Sequence, residues 1–148
     1  MKVVVQRALN AKVEIDEKIN GSIENGLVVL VGFTYGDDSS DIDYMVKKIV
    51  NLRIFDDENG VMNKSILDVD GKILSISQFT LYADTKKGRR PSYASALKGE
   101  EATILYDLFN QKLREFVIVE TGIFGADMKV TLTNDGPVTI VIESREVW

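Results

Sequence analysis

Two short stretches carry the groups that could do chemistry: Ser77-Gln78-Phe79-Thr80-Leu81, closing an apolar run, and Asn134-Asp135-Gly136-Pro137-Val138-Thr139, nearer the C-terminal end. The 148-residue chain around them contains no His and no Cys. That excludes a Ser-His-Asp relay, a thiolate nucleophile and a His/Cys zinc site. Catalysis then falls to backbone dipoles, hydroxyls, carboxylates, Lys or the substrate itself, a set suited to a bond that is already reactive.

In the first stretch, Ser75, Ser77, Gln78 and Thr80 are interleaved with Ile73, Leu74, Ile76, Phe79 and Leu81. Polar side chains at a buried strand end need partners, because an unpaired buried donor or acceptor costs about 1–3 kcal/mol. Neighbouring loops are the ordinary partners, and a substrate is the other. Thr80 as a nucleophile would need a base, and only Asp84, Lys86 and Lys87 are near in sequence. In the second stretch, Asn134-Asp135-Gly136 reads as a hairpin turn between two strands. Pro137 then removes a backbone donor at the start of the returning strand, leaving the carbonyls of Asp135 and Gly136 free to face outward. Between the two, Lys86-Lys87-Gly88-Arg89-Arg90 puts four cations in five residues. Alone it reads as a solvated loop, but its place directly after the first stretch makes it a candidate contact for a few phosphates. Asp37-Asp38 and Asp56-Asp57-Glu58 are explained by a helix start and a turn, and neither a metal nor a cofactor is expected.

The elements that must position these groups follow from periodicity. Residues 2–7, 12–16 and 26–34 read as strands of an antiparallel meander, with breaks at 8–11 and at Glu24-Asn25-Gly26. Asp37-Asp38-Ser39-Ser40 offers a helix start, and Ile42, Met45, Val46, Ile49 and Val50 recur at spacings of three and four, so a helix should end near Arg53. Residues 72–82 read as a central strand. A second helix over 100–116 should turn Ala102, Leu105, Leu108, Phe109, Leu113 and Phe116 inward. Strands over 117–122, 128–133 and 138–143 should complete a mixed, β-rich α/β domain spanning 1–148. Composition agrees: 45% hydrophobic and 28% charged residues describe an ordinary globular chain. The longest apolar run, residues 27–33, is far short of the roughly 20 residues a membrane span needs. The first residues lack the apolar core of a signal peptide, which makes a cytoplasmic location the expectation. A net charge of -5 argues against a protein that grips nucleic acid over its whole surface.

The two stretches in this order, with Met1-Lys2-Val3-Val4-Val5-Gln6-Arg7 at the start and Phe124-Gly125-Ala126-Asp127-Met128 between them, closely resemble the D-aminoacyl-tRNA deacylase family over the entire chain. The resemblance implies a homodimer with a three-layer α/β/β fold and active sites at the subunit interface. It implies hydrolysis of the ester joining a D-amino acid, or glycine, to the terminal adenosine of tRNA. It places Ser77, Gln78, Phe79 and Thr80 in the catalytic pocket, with a cis Gly136-Pro137 unit entering from the partner subunit to reject L-aminoacyl esters. Two routes stay open: a Thr80 nucleophile, or main-chain N–H groups acting with the 2'-hydroxyl of the tRNA, of which the second is preferred. Arg7 would brace the inserted Gly-Pro segment, Phe124 and Met128 would wall the pocket, and Lys86, Lys87, Arg89 and Arg90 would touch tRNA. DNA is not an expected partner. A tRNA-binding or RNA-binding dimer without activity is the alternative.

Overall fold

The computed structural model describes residues 1–145. β-Branched residues crowd the N-terminal region, and they form two long antiparallel strands, β1 (Lys2–Ile15) and β2 (Lys18–Gly32). The break expected at 8–11 is absent. Asn10 takes a positive φ of 49°, and the chain absorbs the irregularity as a shift in register with the strand on its other side between Leu9 and Lys12. The reversal lies instead at Asp16 and Glu17, whose φ values of 51° and 65° are the paired positive angles a tight hairpin needs. Glu24-Asn25-Gly26 runs inside β2 rather than forming a turn. Gly26 is required there by close approach: a Cβ would stand 1.8 Å from the Lys72 carbonyl oxygen.

Helix α1 (Ser39–Asn51) starts as the acids before it dictate. Asp38 accepts from the Ser40 N–H, and Asp41 accepts from the Asp38 N–H in return. A two-stranded hairpin follows, β3 (Phe55–Asp56) and β4 (Met62–Lys64), around a turn in which Asp57 accepts from the N–H groups of Asn59 and Val61. Strand β5 (Lys72–Ser77) is five residues shorter than expected, because the chain leaves the sheet into a 3-10 turn at Phe79–Tyr82. Helix α2 (Gly99–Leu113) buries Ala102, Tyr106, Phe109 and Leu113. It ends three residues early, which leaves Phe116 on the surface instead of in the core. Strand β6 (Val119–Thr121) is short, and β7 (Lys129–Glu143) is one continuous strand where two were expected.

The sheet order is β6-β5-β2-β1-β7. β1 pairs antiparallel with both neighbours, whereas β2, β5 and β6 are parallel, linked by crossovers that carry α1 and α2. Both helices cover one face, over a core that includes Val3, Val5, Leu27, Val29, Ile73, Ile49 and Phe109. The other face carries a second core, in which Val28, Leu74 and Ile76 of the central strands meet Ala8, Ala11, Val13 and Ile23. The far halves of β1 and β2 therefore fold over the sheet as a third layer. Asn20 closes it, its amide donating to the Thr121 carbonyl of β6 at 2.7 Å.

Candidate active site

Strand β5 ends where the second core opens. Past Ser77, Gln78 donates its N–H to the Val31 carbonyl of the neighbouring strand, and the chain then coils into the 3-10 turn. This exit sets Ser77, Gln78 and Phe79 along a cleft of about 280 Å3. Its other wall is Phe124, Gly125, Ala126, Asp127 and Met128, with Ile76 and Val130 at the floor. Phe124 and Met128 thus stand across the cleft from Ser77, Gln78 and Phe79. Gly122 makes room for Met128, since a Cβ there would stand 2.3 Å from the thioether sulfur.

Thr80 sits one residue beyond the lining. Its hydroxyl accepts from the Gln78 side-chain amide at 2.5 Å, and among the described residues no carboxylate or ammonium bonds it. Among the described residues no base is bonded to Thr80 to activate it as a nucleophile. Backbone donors are better supplied. The N–H groups of Phe79 and Thr80 open the 3-10 turn, where no carbonyl of the turn can reach them, and among the described residues they have no hydrogen-bond partner. Phe79 is 41% exposed, an unusual state for an aromatic residue beside the core. Tyr93 meets its ring edge-on at 5.2 Å, and the Lys98 ammonium lies 5.1 Å from its centre. Neither Tyr93 nor Lys98 stands out in the sequence, because both come from a loop and a helix cap remote from the motif.

The four cations lie just beyond this turn. Asp84 and Ser92 exchange two backbone hydrogen bonds of 2.8 Å and pin the base of a loop whose exposed tip holds Lys86, Lys87, Arg89 and Arg90.

The second motif is not a hairpin turn. Gln6 of β1 pairs with Thr139 and Ala8 with Asn134, so Arg7 alone faces the four residues 135–138, which bulge outward from an unbroken strand. The Gly136-Pro137 bond is cis, and both residues are exposed. Asn134 staples the bulge: its side chain accepts from the Val138 N–H at 3.0 Å and donates to the Thr139 hydroxyl at 2.8 Å. Arg7 holds it from beneath. Its Nε donates to the Asp135 carbonyl at 3.1 Å and its Nη1 to the Ile54 carbonyl at 2.8 Å, and the side chain is almost fully buried. The Asp135 carbonyl is therefore engaged within its own chain rather than free. Gly136 has φ 129° and packs on Val138 and on the Arg7 guanidinium, at 2.8 Å and 3.2 Å from where a Cβ would be, so the position suits only glycine.

Within one chain the two motifs do not meet, since Arg7, Gly136 and Pro137 are absent from the cleft lining. The acids at 37–38 and 57–58 are taken up locally. Asp37 accepts from the Thr34 N–H, Asp38 caps α1, and Asp57 and Glu58 serve the β3–β4 turn, with Glu58 paired to Lys64. Burial pushes the Tyr106 hydroxyl beside the cleft above the ordinary tyrosine range, and it donates to the Ser75 carbonyl at 2.7 Å.

The family model described as D-Tyr-tRNA(Tyr) deacylase matches residues 4–143. The chain belongs to that family. The c-Myc DNA unwinding element binding protein is 40% identical over 99% of this chain and 100% of its own, with a TM-score of 0.93. The structure of a probable eukaryotic D-amino acid tRNA deacylase shares the fold at TM-score 0.83 and 17% identity, covering 96% of this chain and 98% of that one. Membership makes the protein a hydrolase of ester bonds, a D-aminoacyl-tRNA deacylase acting in translation quality control.

Proposed function

We propose that the protein hydrolyses D-aminoacyl-tRNA, and glycyl-tRNA(Ala) with it, as a cytoplasmic homodimer in which the Gly136-Pro137 bulge of one subunit completes the cleft at 77–80 of the other. The observation carrying this reading is the separation of the motifs: a cleft lined at 76–79 and 124–130, and a braced, exposed bulge whose residues are absent from that lining.

The substrate ester is activated by its own α-ammonium group, so the enzyme need only orient water, hold the oxyanion and select the stereoisomer. The free N–H groups of Phe79 and Thr80 are the oxyanion donors, a role worth roughly 3–4 kcal/mol per donor. The tRNA 2'-hydroxyl assists the attack, and the Thr80 hydroxyl, bound to Gln78, only shapes the pocket. From the partner's bulge, the Gly136 carbonyl accepts from the α-ammonium and fixes the chiral centre. An L side chain is then driven into backbone, a D side chain leaves toward solvent, and glycine passes because it has nothing to clash. The exposed tip at 86–90 meets tRNA phosphates.

The test incubates the purified protein with D-tyrosyl-, L-tyrosyl- and glycyl-tRNA and follows loss of the ester. Release from the first and third with the second intact is expected. Release of the L ester at a comparable rate would sink the reading. A second reading, nucleic-acid binding without hydrolysis, has the basic loop in its favour, and a 40% identical relative is named for a DNA element. Uncharged tRNA or duplex DNA held tightly, with no ester released, would favour it.

A further inference from the structure

A second cleft, of about 410 Å3, lies behind the first, between α2 and residues 121–124. On the α2 side Thr103, Asp107, Asn110 and Arg114 recur at spacings of four, three and four and form a polar stripe on one helix face. Asn110 is the anomaly. It is 3% exposed, yet its Oδ1 has no hydrogen-bond partner among the described residues. Its amide faces the Tyr106 hydroxyl one turn before, and the unpaired oxygen is open to a donor held in the cleft. One water, with a share of liquid volume of about 30 Å3, would satisfy the oxygen but fill only a small part of the cleft. Opposite charges stand along the same stripe: the Asp107 carboxylate one turn before Asn110, and the Arg114 guanidinium one turn after, which spends a single long 3.4 Å bond on the Val119 carbonyl. Across the gap stand Gly122, whose missing side chain makes room for Met128 of the first cleft, and Phe124. Phe124 is also a wall of the cleft at 77–80.

We propose that this second cleft binds a free α-amino acid as its zwitterion. The ammonium donates to Asn110 Oδ1 and faces Asp107, the carboxylate meets Arg114, and a small side chain lies along Gly122 toward Phe124. Occupancy then bears on the position of Phe124, a wall common to both clefts. Binding does not depend on the deacylation reading, and its test is direct.

The experiment titrates isotope-labelled protein with glycine, D-alanine or L-alanine and follows amide resonances, with acetate and methylammonium as single-charge controls. Saturable shifts at the Asn110 side-chain amide, Gly122 and Phe124 are expected, with a dissociation constant on the order of millimolar. They should weaken at least tenfold in Asn110→Leu and in Arg114→Gln. Absence of saturable shifts, equal shifts from acetate alone, or shifts confined to 77–80 would each overturn the proposal. Arg114 is exposed, so Arg114→Gln keeps the test decisive if Asn110→Leu does not fold.

Discussion

Replacing Arg7 by Met tests how the bulge at 135–138 is held. The guanidinium makes two hydrogen bonds to carbonyl oxygens, at 2.8 Å to Ile54 and 3.1 Å to Asp135, from a nearly buried position. Hydrogen bonds to a charged group contribute about 1.5–3 kcal/mol each, and the Ile54 carbonyl would lose its donor in a buried setting. Its approaches to Asp56 and Asp135 carboxylates, at 3.5 Å and 3.4 Å, add little because both acids are about half exposed. The loss comes to roughly 3–5 kcal/mol, which for a chain of this size is a fall in melting temperature of roughly 6–20 °C. Arg7→Lys keeps the charge but cannot aim donors at two carbonyls at once, so it should recover no more than about half of that loss. The assay pairs thermal unfolding with D-tyrosyl-tRNA hydrolysis, measured where circular dichroism shows the variants folded. Both variants should lose more than tenfold in kcat/KM, as the bulge relaxes. An unchanged melting temperature in Arg7→Met would refute the energetic reasoning; a lowered one with full activity would show that Arg7 supports the fold and not the site.

Three further expectations are independent of Arg7. Thr80→Val should reduce D-tyrosyl-tRNA hydrolysis by less than tenfold, since among the described residues the Thr80 hydroxyl bonds no base and accepts only from Gln78; a loss of several thousandfold would restore Thr80 as the nucleophile. Reversing the charges of Lys86, Lys87, Arg89 and Arg90 should raise KM with kcat unchanged and flatten the salt dependence of tRNA affinity by about 0.7–0.9 in log–log slope for each phosphate no longer neutralised; an unchanged slope would clear the loop of any role. Asp41 is buried, and the Arg145 guanidinium, at 2.7 Å, with the Ser144 hydroxyl and the Asp38 N–H, holds its carboxyl far below the usual range. A carboxylate depressed on folding adds stability that is full above the unfolded value, near 3.9, and is lost as pH falls through the folded one. Asp41→Asn should therefore cost about 2–3 kcal/mol at pH 7 and much less at strongly acid pH, by urea unfolding; an equal cost at both would exclude the linkage.

Much of the fold was legible because its signals are local. The three- and four-residue spacing of Ile42, Met45, Ile49 and Val50 fixed α1, and the acids before it fixed its start. What misled were turn formers placed inside strands. Asn10, Asn25-Gly26 and Asn134-Asp135-Gly136 each carry the chemistry of a reversal, yet all three run through long strands. The reason is long-range in each case. β1 is paired on both sides along its length, so a turn at 8–11 would break two ladders at once, and a bulge breaks neither. Gly26 answers to Lys72, forty-six positions away, and nothing nearby in sequence announces that.

The same logic separates what was readable at the site from what was not. The polar residues at 77–80 could be found because hydroxyls and an amide at the end of a buried strand are a local inconsistency; Ser77 and Gln78 line the cleft, and Thr80 accepts from the Gln78 amide. Their backbone conformation could not be found: an apolar run through Tyr82 predicts strand, in which alternate N–H groups would be bonded into the sheet. The chain instead leaves the sheet after Gln78 makes the last ladder bond to Val31, and Gly32 admits it so closely that a Cβ there would lie 2.8 Å from the Gln78 carbonyl. That early exit is what frees the N–H groups of Phe79 and Thr80. In a chain with no imidazole and no thiol, the proposed oxyanion donors are then freed where a strand stops early, and the residue that permits it, Gly32, lies on another strand.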